Sequence, residues 1–123
     1  MTILGIGTDI IEINRMRKIV KRHGLHFLCR LFSEKERKYC NRLKDPSICY
    51  AGRFAAKEAI VKALGTGFGK KINWQDIEIT NEKTGKPIIN LSKKALEEFN
   101  NPKIMLSISH CVNYATASAI WQK

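Results

Sequence analysis

From Ser47 to Leu64 the chain is full of Ala, Lys and Glu, the residues that favour a helix. Gly65 follows at the position where a left-handed residue ends one. This run constrains the fold more than any other part of the chain. Ala55, Ala56, Ala59, Ile60 and Ala63 make a broad apolar face that another layer has to cover. Glu58 and Lys62 stand at i and i+4, neighbours on a different face, where a surface ion pair contributes only about 0–1 kcal/mol. Lys57 points about 100° away from Glu58 around the axis.

The elements around this helix follow from local signals. Residues 2–11 read as a strand with Ile3, Gly5, Gly7, Asp9 and Ile11 on one face. A basic helix comes next, with Asn14 as its N-cap, then an apolar stretch at Leu25–Leu31. Ser33 with Glu36 forms a capping-box pattern that opens a helix over 34–43, and Asp45-Pro46-Ser47 is a turn. Gly65-Thr66-Gly67-Phe68-Gly69 is a flexible loop. Residues 77–80 and 87–91 are strands joined at Thr84-Gly85. A short helix over 92–99 precedes a closing strand pair, 104–110 and 114–121. No linker or internal repeat divides the chain. The expected fold is a single α+β domain over residues 1–123, a mostly antiparallel sheet packed against helices.

Charge narrows the partners. The chain has 123 residues with 22 Lys+Arg against 11 Asp+Glu, a formal net charge of +11, which favours an anionic partner. Between Glu12 and Glu34 there are six basic residues and no acid. On a helix, Arg15, Arg17, Lys18, Lys21 and Arg22 share one side, opposite Met16, Ile19 and Val20. The plain reading is a solvated face; the functional one is an electrostatic dock. Composition, at 44% hydrophobic and 27% charged, excludes wholesale disorder. No apolar run approaches a membrane span. The apolar N-terminus has no basic leader and is interrupted by Asp9 and Glu12, which argues against a signal peptide and for a cytoplasmic protein. Cys29, Cys40, Cys49 and Cys111 contain no C-x-x-C pair, so reduced thiols are the expectation. A small nucleic-acid-binding protein would share the charge, but the interleaved aromatic and basic pattern of single-strand binders is missing, and so is any zinc-finger or RRM signature.

Asp9 is the residue that needs a chemical reason. A carboxylate in an apolar strand beside two glycines requires a partner, a cap role or a cation. Asp9 and Glu58 together with phosphate oxygens would suit Mg²⁺, which takes one or two carboxylates and completes its shell with waters and substrate phosphates. Lys62, one turn from Glu58, would reach the same phosphates. The glycine loop is neither a P-loop nor a Rossmann fingerprint; it is a helix stop plus a turn, or backbone that a bulky anion can approach closely. His110 ends a strand whose Ile104, Leu106 and Ile108 are apolar, and near a phosphate it could donate a hydrogen bond.

Taken together, these residues resemble a known family. Gly5-Ile6-Gly7-Thr8-Asp9-Ile10 resembles the first motif of the holo-[acyl-carrier-protein] synthases, which are 4′-phosphopantetheinyl transferases. Arg53 through Ala59, continuing through Lys62-Ala63-Leu64-Gly65-Thr66-Gly67, resembles the second. Gly85-Lys86-Pro87 and Ser107-Ile108-Ser109-His110 are similar to later blocks, so the likeness spans nearly the whole chain. The resemblance implies transfer of phosphopantetheine from coenzyme A to a serine of an apo-acyl carrier protein in fatty acid biosynthesis. It implies Asp9 and Glu58 as ligands of Mg²⁺, with Mn²⁺ as an alternative, and Glu58 and Lys62 as catalytic groups. It implies that Arg53, Lys62, Gly65, Thr66, Gly67, Lys86, Pro87 and His110 hold coenzyme A. It also implies that Arg15 and Arg22 dock the acidic carrier, and that the protein is a homotrimer with active sites between subunits, with neither nucleic acid nor membrane as partner.

Overall fold

The computed structural model describes residues 2–123. The elements in chain order are β1 (Ile3–Glu12), α1 (Ile13–Leu31), α2 (Glu34–Asn41), α3 (Pro46–Leu64), a 3-10 turn (Trp74–Asp76), β2 (Ile77–Asn81), β3 (Pro87–Leu91), α4 (Lys93–Glu98), β4 (Lys103–His110) and β5 (Tyr114–Gln122). β5 lies between β1 and β4 in an antiparallel three-stranded sheet, and β2 and β3 form a separate antiparallel hairpin. The expected α+β architecture is thus observed.

α3 is the centre of the molecule, and small residues place it there. Ala55, Ala59 and Ala63 face the sheet, which answers with Ala115, Ala117 and Ala119 on β5 and with Gly5 and Gly7 on β1. The approach is so close that a Cβ on Gly5 or Gly7 would sit 1.9 Å from the carbonyl oxygen of Ala63 or Ala59. A second apolar cluster joins the first half of α3 to α1 and α2 through Ile13, Met16, Leu28, Phe32 and Tyr50. Covered by the sheet on one side and helices on the other, α3 is buried nearly all round.

The local signals are realised with adjustments. Ser33 and Glu36 form the expected reciprocal cap of α2, and Gly65 ends α3 in the left-handed region at φ 75°. α3 begins at Pro46, one residue earlier than expected, and Asp45 caps it by accepting from the Ser47 amide. Asn14 does not cap α1. The chain passes from β1 into α1 at Glu12, and the helix is seated by the Ile13 amide donating to the Asn113 carbonyl at 2.9 Å, so a tertiary bond replaces the side-chain cap. α1 is kinked at Gly24, where the backbone leaves helical geometry and separates the basic half from the apolar stretch after it.

The expectation of four reduced thiols also needs correction. Cys40 and Cys49 are joined as a disulfide, with Cα atoms 5.4 Å apart, because the tight turn between α2 and α3 lays their facing ends together. Cys29 and Cys111 are free and exposed. Among the described residues, no helix is long and apolar enough to cross a membrane.

Candidate active site

The first part of the site is built where β1 crosses α3. With Gly5 and Gly7 pressed against the helix, Asp9 emerges on the same strand face beside the turn of α3 that carries Glu58 and Lys62. Lys62 does not pair with Glu58, its helix neighbour. Its Nζ donates to Asp9 Oδ1 and to the Thr8 carbonyl, each at 3.0 Å. Packing of strand on helix brings Asp9 within reach, and a contact across two elements wins over the i,i+4 one. Asp9 and Glu58 both line a cavity of about 450 Å³, together with Glu12, Arg15, Phe54 and Tyr114. Burial pushes the Glu58 carboxyl above its ordinary value, the Asp9 charge pushes it further, and Lys62 opposes both. Two carboxylates converge there with one lysine to offset them, a donor set suited to a hard divalent cation that brings its own waters and phosphate oxygens. Among the described residues no cluster of three or more His, Cys, Asp or Glu could hold a metal ion by itself.

Arg15 stands on the rim of this cavity. Arg22, two turns further along α1, is exposed on the same side, while Met16 on the opposite side is fully buried. Arg17, also on α1, points elsewhere and pairs with Asp45 at 2.6 Å.

The second part of the site is a larger cavity of about 860 Å³, lined among others by Arg17, Asp45, Arg53, Asn81, Gly85 and His110. Among the described residues, none lines both cavities. Arg53 is 5% exposed. It donates to Cys49 Sγ at 3.3 Å and to Asn81 Oδ1, and its guanidinium lies 4.5 Å from the centre of the Tyr39 ring. Its Nε is buried with no partner among the described residues. Burial pushes the Arg53 pKa down, and Glu36 and the two tyrosines nearby oppose that shift. His110 is exposed at the end of β4. In the β2–β3 turn, Gly85 faces the cavity, Lys86 is exposed beyond it and Pro87 opens β3.

Gly65, Thr66 and Gly67 lie at the end of α3, in a loop whose first amides fold back on the helix: Gly65 onto the Lys62 carbonyl at 3.1 Å and Thr66 onto that of Val61 at 3.2 Å. The predicted residues therefore fall into two groups on one chain. Asp9, Glu58, Lys62 and Arg15 are together, with the 65–67 loop at the end of the same helix. Arg53, Gly85 and His110 are together, with Lys86 and Pro87 beside them.

Several lining residues carried no sequence signal. Glu12 and Tyr114 reach the smaller cavity only because they pair across β1 and β5, and Asn81 meets Arg53 only through the hairpin. Asp45 was legible as a turn residue, but neither as the cap of α3 nor as the partner of Arg17.

The 4′-phosphopantetheinyl transferase superfamily profile matches residues 5–117. A holo-[acyl-carrier-protein] synthase from Protochlamydia amoebophila is 52% identical over 96% of this chain and 97% of its own length. One from Chlamydia pneumoniae is 49% identical, with 98% of each chain covered. The Helicobacter pylori holo-[acyl-carrier-protein] synthase, solved in complex with coenzyme A, superposes with a TM-score of 0.87 at 41% identity, covering 95% of this chain and 99% of that one. The Bacillus anthracis synthase, solved with CoA (3′,5′-ADP), gives a TM-score of 0.84 at 41% identity, covering 98% and 97%. By sequence and by fold, the chain belongs to the holo-[acyl-carrier-protein] synthases of the 4′-phosphopantetheinyl transferase superfamily.

Proposed function

We propose that the protein transfers the 4′-phosphopantetheine group of coenzyme A to a serine of an apo-acyl carrier protein, giving the holo-carrier and adenosine 3′,5′-bisphosphate. The observation that carries this reading is the meeting of Asp9 and Glu58 at one cavity, with Lys62 bonded to Asp9 and Arg15 on the cavity's rim. Asp9 and Glu58 would hold Mg²⁺, or Mn²⁺ in its place, and the bound ion would neutralise charge on the pyrophosphate. Lys62, already shared between Asp9 and the Thr8 carbonyl, has a third donor free to steady the leaving phosphate. The serine hydroxyl attacks the β-phosphorus, and Glu58 takes its proton through a water.

Arg15 and Arg22 dock the acidic carrier. Because Arg15 is at the cavity rim, that docking delivers the serine to the Asp9–Glu58 side. Arg53, the Gly65-Thr66-Gly67 backbone, Lys86, Pro87 and His110 hold the nucleotide end of coenzyme A. Asp9, Glu58 and Arg15 line one cavity and Arg53, Gly85 and His110 another, and a homotrimer would close one subunit's first group against its neighbour's second. The outward face of the sheet supports such an assembly: Leu4, Ile6, Ile10 and Met105 are all exposed, Ile6 at 72%. The place of the reaction is fatty acid biosynthesis in the cytoplasm.

The test is the intact mass of an apo-acyl carrier protein after incubation with this protein, coenzyme A and Mg²⁺, beside an EDTA control. A gain of one phosphopantetheine, absent with EDTA, is expected. An unchanged carrier mass with folded protein and several carriers would remove the proposal.

A further inference from the structure

The glycine loop after α3 is anchored through the Phe68 side chain, and that anchor leads back to the first cavity. The amides of Gly67 and Phe68 make no backbone hydrogen bond among the described residues, so the middle of the loop is unsupported by its own backbone. Beyond it, the Gly69 amide donates to the Ile72 carbonyl at 2.8 Å and closes the loop. Gly65 and Gly67 both have positive φ, so the chain here is held in conformations that leave much freedom to lose. Against this, the Phe68 ring stacks on Trp74 with centroids 3.8 Å apart and planes within 15°. Trp74 stacks in turn on Phe54, at 5.0 Å and 28°, and Phe54 lines the Asp9–Glu58 cavity.

The indole sits on a rigid support. The turn that carries it is closed by a reciprocal cap between Asn73 and Asp76. The Trp74 carbonyl accepts from the buried Lys57 Nζ at 3.1 Å, and neighbouring Gln75 donates to the Cys29 carbonyl at 2.7 Å. A loop hinged on glycines thus rests on a ring whose own backbone is tied to α3 and to the end of α1.

We propose that Trp74 is a positioning residue of the coenzyme A site: by stacking on Phe68 it holds the Gly65–Gly69 backbone in its ligand-ready place and joins that loop to Phe54 in the wall of the Asp9–Glu58 cavity. This rests on the proposed transferase reading. Its physical content is preorganisation: the ordering cost of the loop is met in the free protein rather than at binding. It therefore acts on coenzyme A and not on the carrier, which docks through α1.

The chain contains two tryptophans, so Trp121→Phe leaves Trp74 as the one indole reporter. In that variant the Trp74 emission should be the same without coenzyme A and at the concentration where calorimetry shows saturation, because the stack is already formed in the free protein. Trp74→Leu should raise KM for coenzyme A about tenfold, with kcat and the KM for carrier within twofold, and Trp74→Phe should recover most of the loss. Phe68→Ala, in an open loop that burdens the fold less, should reproduce the Trp74→Leu effect. A saturable change in Trp74 emission that tracks the calorimetric binding of coenzyme A would show the loop ordering only at binding and overturn the proposal, as would equal rises in both KM values for Phe68→Ala. No calorimetric binding of coenzyme A to the parent protein would overturn the transferase reading itself, and this inference with it.

Discussion

Lys57 and Glu58 are adjacent on α3, and the fold sends them to opposite environments. Lys57 is fully buried and donates to Glu36, to the Leu31 carbonyl and to the Trp74 carbonyl, over the face of the Phe32 ring. Burial pushes its pKa down, and the Glu36 carboxylate opposes that. Glu36 is equally buried, and its oxygens also accept from the Ser33 and Ile79 amides. With every partner satisfied, this pair locks α2, α3, β2 and the Trp74 turn together. Lys57→Met leaves the Glu36 carboxylate buried without a countercharge and should cost about 3–5 kcal/mol in urea unfolding. Glu58 carries the reverse expectation. Its raised pKa reflects a carboxylate held against burial and the Asp9 charge, so the fold gains little from it. Asp9→Ala and Glu58→Ala should each lower transfer by at least about 100-fold, and Glu58→Ala should melt in metal-free buffer at or above the parent temperature. An active variant would remove the metal assignment, and a lower melting point would show that the carboxylate serves the fold. The sequence showed that Lys57 and Glu58 face different ways but not which one lies inside, because that depends on where α2 docks.

At the scale of elements, the β1–α3 crossing and the basic half of α1 set the geometry. The crossing tolerates no side chain at Gly7, where an added methyl meets the backbone of Ala59. Gly7→Ala should therefore destabilise the protein by about 3 kcal/mol, read as a shifted denaturation midpoint. Gly69→Ala is the control, since its added methyl meets open space, and a change under about 0.5 kcal/mol is expected. The glycines were visible in the sequence as interruptions of a strand, and their use for close packing became visible only with Ala59 and Ala63 opposite them. On α1, Arg15→Glu with Arg22→Glu should raise KM for the carrier far more than KM for coenzyme A, with the gap narrowing as salt is added. Equal rises would sink the docking role. That helix was legible as amphipathic from its spacing, and its cap was misplaced because the Ile13–Asn113 bond crosses the whole length of the chain.

At the scale of the whole molecule, the proposed homotrimer would cover the apolar outer sheet face and bring together two cavities that share no described residue. The native mass should be about three times the 14.0 kDa chain, and Ile6→Lys, which puts a charge in the exposed face, should shift it toward monomer and reduce transfer together. A fully active monomer would refute the intersubunit site. By itself the sequence determined the element order, the caps at Ser33 and Gly65, the small-residue face of α3 and the motifs that place the chain in its family. These depend on residues near one another in the chain, where periodicity, capping chemistry and backbone sterics act locally. Only the tertiary structure decided that Lys62 turns to Asp9 rather than Glu58, that Lys57 is interior, that Cys40 meets Cys49, and that Arg53 and His110 line a different cavity from Glu58. Each of those outcomes is a choice among partners of similar local merit, and the choice falls to whichever one the docking of strand, helix and hairpin brings within bonding distance.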